Sequence, residues 1–179
     1  MRPVRLLPTA LGVVMLLIPV LAAGPSSVLP AASASAATAT TTGAPVTPRA
    51  GVSEVEARLI ARVNQTRTRH GCRALKHRDG LHGTASAHSA LMAQRQQLSH
   101  QLAGEPSLRR RLSDAGYQRS GRIGEIIAVG TTNPSGVMRM WMASRTHRTI
   151  ILDCRYRMMG VGVTTQSSGQ RWWTIDFAR

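Results

Sequence analysis

The sequence predicts an α+β fold, an α-β-α sandwich in which helices flank a central antiparallel sheet. Three observations carry this reading. Apolar residues recur at helical spacing in several stretches before residue 116, and a run rich in β-branched residues, Ile123–Val129, follows them. The chain then closes on two strand-like segments around a turn, with none of the βα repeats that a parallel sheet requires.

Each element has its own signal. Ser53-Glu-Val-Glu56 is a capping box ahead of Val55, Leu59, Ile60 and Val63, and the helix it opens should end near His70-Gly71. A second helix is expected over about 81–97, with Ala85, His88, Leu91 and Met92 near one stripe. Pro106 and Gly116 bracket a short third helix carrying Leu108 and Leu112. Asn133-Pro134 has the cap-plus-proline order of a helix start, with Val137, Met140, Trp141 and Ser144 on one face. At the end, residues 159–164 and 171–177 flank the turn-like Gln166-Ser-Ser-Gly169. Trp173, Ile175 and Phe177 share one strand face, opposite Trp172, Thr174 and Asp176. Gly160 and Gly162 leave one face of the preceding strand flat, so an element can approach closely there.

The 179 residues leave room for one folded domain behind a special N-terminus. Residues 1–36 read as a secretory signal of uncertain cleavage site: Arg2 and Arg5 precede a short apolar run at 11–23, broken by Pro19, and Ala-x-Ala sites follow at Ala32 and Ala34. The alternative is an uncleaved anchor. Residues 37–51 form an Ala/Thr/Pro-rich linker without periodicity, and the domain is 52–179. Only Cys72 and Cys154 occur. In an exported chain they argue for one disulfide, closing a loop of roughly 80 residues at a gain of about 4 kcal/mol; two buried thiols are the alternative.

The formal charge is +15, from 23 basic and eight acidic residues, and Lys76 is the single lysine. Such a surplus suits an anionic partner. With aromatics at 3% and Arg109-Arg110-Arg111 the one tight cationic run, an Arg-coated exterior on an anionic envelope fits better than specific nucleic-acid recognition.

Against that surplus, Glu125 sits inside the apolar strand Ile123–Val129, where an ionised carboxylate is costly unless something pairs with it. Ile123, Glu125, Ile127 and Val129 share its strand face. The partners to consider are the six histidines. His70 and His77 look solvated, and His82 and His88, six apart, cannot form an i,i+4 ligand pair. His100 and His147 stand at the exits of the second and fourth helices, where a polar side chain can be presented at an edge. No spacing among these residues is a metal signature by itself.

The ordered series Val63-Asn64, Gly71, Leu75, Ser99-His100, Gly124-Glu125, Trp141-Met-Ala-Ser-Arg-Thr-His147-Arg148, Ile150-Ile-Leu152, Gly160-Val-Gly162-Val and Trp173-Thr-Ile-Asp-Phe177 resembles the CAP superfamily. That group unites cysteine-rich secretory, antigen 5 and pathogenesis-related proteins, and the likeness is to its bacterial SCP-like extracellular branch. The resemblance implies an α-β-α sandwich with a cleft lined by two histidines and acidic residues: His100 and His147 match the histidines, Glu125 the glutamate. Three positions depart from the pattern. Ser144 replaces a further glutamate of eukaryotic members, Ile126 stands where Asn usually follows the glutamate, and the loop after His100, with Glu105 in it, is unlike the usual one.

The function expected on these grounds is that of a secreted or envelope-associated binding module, monomeric and without a membrane span in its mature form. Its cleft would take a divalent metal (Zn or Ca) through His100, Glu125 and His147, or a small apolar ligand or envelope component. Two alternatives are a metal-dependent or Ser/His/Glu hydrolase, with Ser99 or Ser144 as nucleophile, and an Arg-driven binder of anionic polymers. A catalytic reading would rest on the same three residues. Neither serine has a G-x-S-x-G setting and no H-E-x-x-H spacing occurs, so a binding role is favoured over an enzymatic one.

Overall fold

The computed structural model describes residues 51–117, 121–130 and 133–179. The expected signal, and the linker up to residue 50, lie outside the described residues. In chain order the elements are α1 (Glu54–Arg69), β1 (Lys76–His77), α2 (Asp79–Arg95), α3 (Leu108–Asp114), β2 (Ile123–Val129), α4 (Pro134–Ala143), α5 (Arg145–Ile151), β3 (Met158–Thr165) and β4 (Arg171–Ala178).

Local chemistry explains most of these boundaries. The Glu56 N–H donates to Ser53 Oγ while the Ser53 N–H donates to Glu56 Oε2, closing the capping box at α1. The same Glu56 accepts from the Val163 N–H at 3.0 Å, which ties the start of α1 to β3. Gly71, at φ +78, turns the chain out of α1. The third helix is capped by Ser107 and starts at Leu108, two residues later than Pro106 suggests, because the Ser107 hydroxyl accepts the Arg110 N–H. In α4, Val137, Met138 and Trp141 are buried, but Met140 is 40% exposed and Ser144 lies at the helix end, so the apolar stripe is narrower than expected.

The sheet order is β1-β3-β4-β2. β3 and β4 form the hairpin, and β2 runs antiparallel to β4 with Glu125 opposite Asp176. The expectation of a wholly antiparallel sheet needs one correction: β1 adds on parallel to β3, pairing Lys76 with Met158. Two residues carry no periodicity, so β1 leaves no signal in the sequence.

Alternation then builds a three-layer sandwich. Ile126, Ala128, Val161, Trp173, Ile175 and Phe177 point to one side, where they bury Leu59 and Val63 of α1, Trp141 of α4 and Ile151 of α5. On the other side, Ile127 and Trp172 meet Met92 of α2, and Leu81 and Leu112 meet Ala178. There α2 lies directly on β3. A Cβ on Gly160 would fall 2.0 Å from the Leu81 carbonyl carbon, and one on Gly162 would fall 2.2 Å from the Ser86 nitrogen. Cys72 and Cys154 form a disulfide with Cα atoms 4.9 Å apart, joining the end of α1 to the segment after α5.

Candidate functional site

Glu125 lies on the β2 face that looks toward α2, and it is 5% exposed. Its carboxylate is fully engaged. Oε1 accepts from His100 Nδ1 at 2.7 Å, and Oε2 accepts from Arg111 Nη2 at 2.9 Å. Burial alone would raise its pKa, but the His100 hydrogen bond and the charges of His88 and Arg111 hold the carboxyl below the ordinary carboxylate range.

Beneath Glu125 runs a buried polar chain. Arg111 also donates to the His100 carbonyl at 3.2 Å, and its Nε lies 3.6 Å from Glu105 Oε1. Glu105 accepts from His88 Nδ1 at 2.7 Å and, through Oε2, from the Leu102 N–H at 3.0 Å. The other nitrogen of His88 is 3.8 Å from Glu125 Oε2. One guanidinium therefore stands between two buried carboxylates, which is how this face keeps charges out of water.

Sequence reasoning had placed Glu105 only at the margin and had missed His88 and Arg111. A signal for His88 was available, since an imidazole on the apolar stripe of α2 needs a partner and acids are few. Arg111 was hidden in the run Arg109-Arg110-Arg111, but successive helical residues point about 100° apart. Arg110 thus reaches outward to Asp114 at 3.0 Å, while Arg111, flanking the apolar Leu108–Leu112 face, is turned inward.

Asp176 is the third acidic member. It is fully buried opposite Glu125, and Thr84 Oγ1 is 2.6 Å from its Oδ2. That hydroxyl also lies 2.9 Å from the Leu81 carbonyl. A hydroxyl has one hydrogen for these two acceptors, so a proton on Asp176 completes the set. Burial, and then the negative charge of Glu125, push the Asp176 carboxyl up to about 8.

His100 forms the outer edge, its side chain 59% exposed. It lies in the loop after α2, which leaves the helix through Gln96 at φ 53 and is anchored by buried Leu102. With Nδ1 engaged by Glu125, Nε2 is the ring nitrogen left for another partner. His147 lies within the separate short helix α5 rather than at the exit of α4, because the chain breaks at Ser144 and restarts at Arg145. The Trp141 indole donates to the Ile127 carbonyl at 3.0 Å and so fixes α4, and α5 behind it, against β2. Burial and the neighbouring His100 hold the His147 pKa below the ordinary imidazole value, and its Nδ1 is buried without a hydrogen-bond partner.

Of the sequence-predicted trio, then, His100 and Glu125 touch, and His147 is coupled electrostatically to His100. Among the described residues no three His, Cys, Asp or Glu side chains are grouped to hold a metal ion. The two Glu125 oxygens are held instead by His100 and Arg111. Ser99 uses its hydroxyl on the Gln101 backbone at 2.7 Å, and no hydrogen bond joins Ser99 or Ser144 to His100 or His147 among the described residues. His70 is exposed as expected, whereas His77 is half-buried beside His82, ring centroids 5.5 Å apart.

With this geometry in place, a model of the cysteine-rich secretory protein family, CAP, matches residues 60–177. The chain belongs to the CAP family. It is 31% identical over 142 residues to the uncharacterised protein YkwD of Bacillus subtilis, covering 78% of this chain and 51% of that protein. It also resembles the crystal structure of an extracellular SCP-domain protein from Bacillus anthracis, with a TM-score of 0.61, 25% identity, and coverage of 68% of this chain and 39% of that one. An outer surface protein of Borrelia burgdorferi shares the fold, with a TM-score of 0.62 at 17% identity over 68% of this chain and 90% of that one. This CAP chain spans about half the length of its curated relative. No helix among the described residues is long and apolar enough to cross a membrane.

Proposed function

We propose that this CAP domain works outside the cytoplasm, secreted or held at the cell envelope, as a binding module whose cleft is edged by His100 and His147. One observation carries the reading: the exposed His100 ring is pinned through Nδ1 to the buried carboxylate of Glu125, which leaves its other ring nitrogen for a ligand. A divalent ion such as zinc fits that donor set. His100 and His147 would hold it with water completing the shell, while Glu125 would orient His100 and raise its basicity. The ion would supply a positive centre for an oxygen of a ligand. The one disulfide and the names of the extracellular and outer-surface relatives support an oxidising, extracytoplasmic setting.

A binding role is favoured over hydrolysis because neither candidate serine is hydrogen-bonded to an imidazole. Calorimetric titration of the full chain with zinc tests the proposal. Saturable one-to-one binding, lost in both His100→Ala and His147→Ala, is expected; zinc affinity unchanged in both variants would refute it.

A further inference from the structure

A second polar feature lies away from the histidine cleft. Arg109 of α3, Arg122 just before β2, Arg155 after α5 and Arg179 beyond β4 line one cavity of about 480 Å³. A neighbouring cavity of about 630 Å³ shares Arg122 and Arg155 and adds Arg148. The sheet register forces part of this crowding. Arg122 and Arg179 lie one residue beyond the Ile123–Ala178 pair on adjacent antiparallel strands. Like charges placed across strands cost stability, so their retention asks for an anion.

The one acid lining these two cavities is Asp153, and it is already committed. Arg155 grips it with Nε to Oδ1 at 2.9 Å and Nη2 to Oδ2 at 3.0 Å, and Arg122 Nη1 reaches Oδ2 at 3.1 Å. Asp153 is 11% exposed and its carboxyl is held below the ordinary range, first by the Arg155 hydrogen bond. It thus orients the Arg122 and Arg155 guanidinium planes at the rim, while Arg109 and Arg179 line the smaller cavity, which Asp153 does not reach. A planar carboxylate has two oxygens for such forks, whereas a tetrahedral phosphate presents an edge to each of several guanidinia approaching from different elements. The aromatic side chain at these walls, Tyr156, is buried and donates its hydroxyl to the Ile123 carbonyl at 3.0 Å, so no platform for base stacking is offered.

We propose that the cavity where Arg109, Arg122, Arg155 and Arg179 converge around the Asp153-oriented pair is a binding site for the phosphate of a phosphodiester, such as an envelope glycerol-phosphate polymer or an anionic lipid headgroup. The site is separate from the histidine cleft and binds whether or not that cleft is filled.

The test titrates the full chain with glycerol phosphate by calorimetry and, in parallel, sediments it with vesicles of phosphatidylglycerol or of phosphatidylcholine. Saturable binding of glycerol phosphate is expected, weakened at least fivefold in Arg122→Lys/Arg155→Lys, which keeps the charge and removes the forks. The remote pair Arg58→Lys/Arg62→Lys and the cleft variant His100→Ala should bind as the wild type does. Sedimentation with phosphatidylglycerol alone, competed by glycerol phosphate, assigns the ligand to a headgroup; glycerol-phosphate binding without sedimentation assigns it to a soluble polymer. Absence of saturable binding, or equal losses in the two lysine pairs, overturns the site. All four substituted arginines are exposed, and an unchanged Tm confirms that each variant folds.

Discussion

Glu125 and Asp176 oppose each other on β2 and β4, and the first is ionised while the second keeps its proton. Two carboxylates in adjacent buried positions cannot both ionise cheaply. Glu125 has His100 and Arg111 as partners, and Asp176 has a threonine hydroxyl, so the charge settles on Glu125.

This asymmetry predicts a pH-dependent stability. An unfolded Asp releases its proton near pH 3.9, while Asp176 in the folded chain holds it to about 8. Between those values the folded state binds more protons, so this residue's contribution falls as pH rises through the window. Asp176→Asn cannot ionise and can donate to Glu125. Its stability relative to the wild type should therefore grow from pH 5 to pH 8, measured by urea unfolding; a constant difference would mean that Asp176 is ionised throughout.

Arg111 gives a larger effect of the opposite sign. Arg111→Met leaves Glu105 and Glu125 buried without their shared cation, a situation that costs on the order of 3–5 kcal/mol. Adding Glu125→Gln removes one of the two stranded charges and should recover part of that loss. Denaturant midpoints of the single and double variants read this directly.

The close seat of α2 on β3 makes Gly160 a third test. A Cβ there would meet the backbone of Leu81 rather than a movable side-chain tip. The helix would have to lift, and Gly160→Ala should destabilise by about 1–3 kcal/mol, as overpacking does. The effect should spread to the cleft, because α2 carries His88 and leads into the His100 loop. Loss of amide-exchange protection in α2 would report it.

The fold was legible in the sequence where chemistry is local. The Ser53 capping box, the Asn133-Pro134 start, the alternation of β4 and the flat glycine face of β3 all depend on neighbours within a few residues. Glu125 was equally legible, as a carboxylate misplaced in an apolar strand. Its partners were not, apart from His100. Arg111 lies 14 residues away on a helix whose register is needed to see which of three arginines turns inward, and Asp176 becomes its neighbour only through the β2–β4 pairing. Long-range pairing of this kind leaves no periodic trace.

The disulfide offers a prediction independent of the site. Cys72 and Cys154 are 82 residues apart, so the chain-entropy model assigns their bridge about 4 kcal/mol. Buried Arg67 depends on the same corner, donating to the carbonyls of Arg73, Ile151 and Asp153. Cys72→Ser/Cys154→Ser should lower the Tm in non-reducing buffer and loosen the end of α5. A wild type insensitive to reductant would show that the corner is held without the bridge.

The decisive probe of the cleft is Glu125→Gln. The amide oxygen can still accept from His100 Nδ1, but the negative charge that fixes the tautomer and sustains ring basicity is gone. If the two imidazoles take a metal with Glu125 behind them, zinc affinity should drop about 10–100-fold without being abolished, the range found when such an outer partner is lost. Nitrogen NMR should at the same time show a change at the His100 ring nitrogens, Nδ1 first, since that is the atom facing residue 125. Complete loss of binding would instead make Glu125 a direct ligand, displacing Arg111 when metal enters. The two outcomes separate an orienting carboxylate from a coordinating one on the same sample.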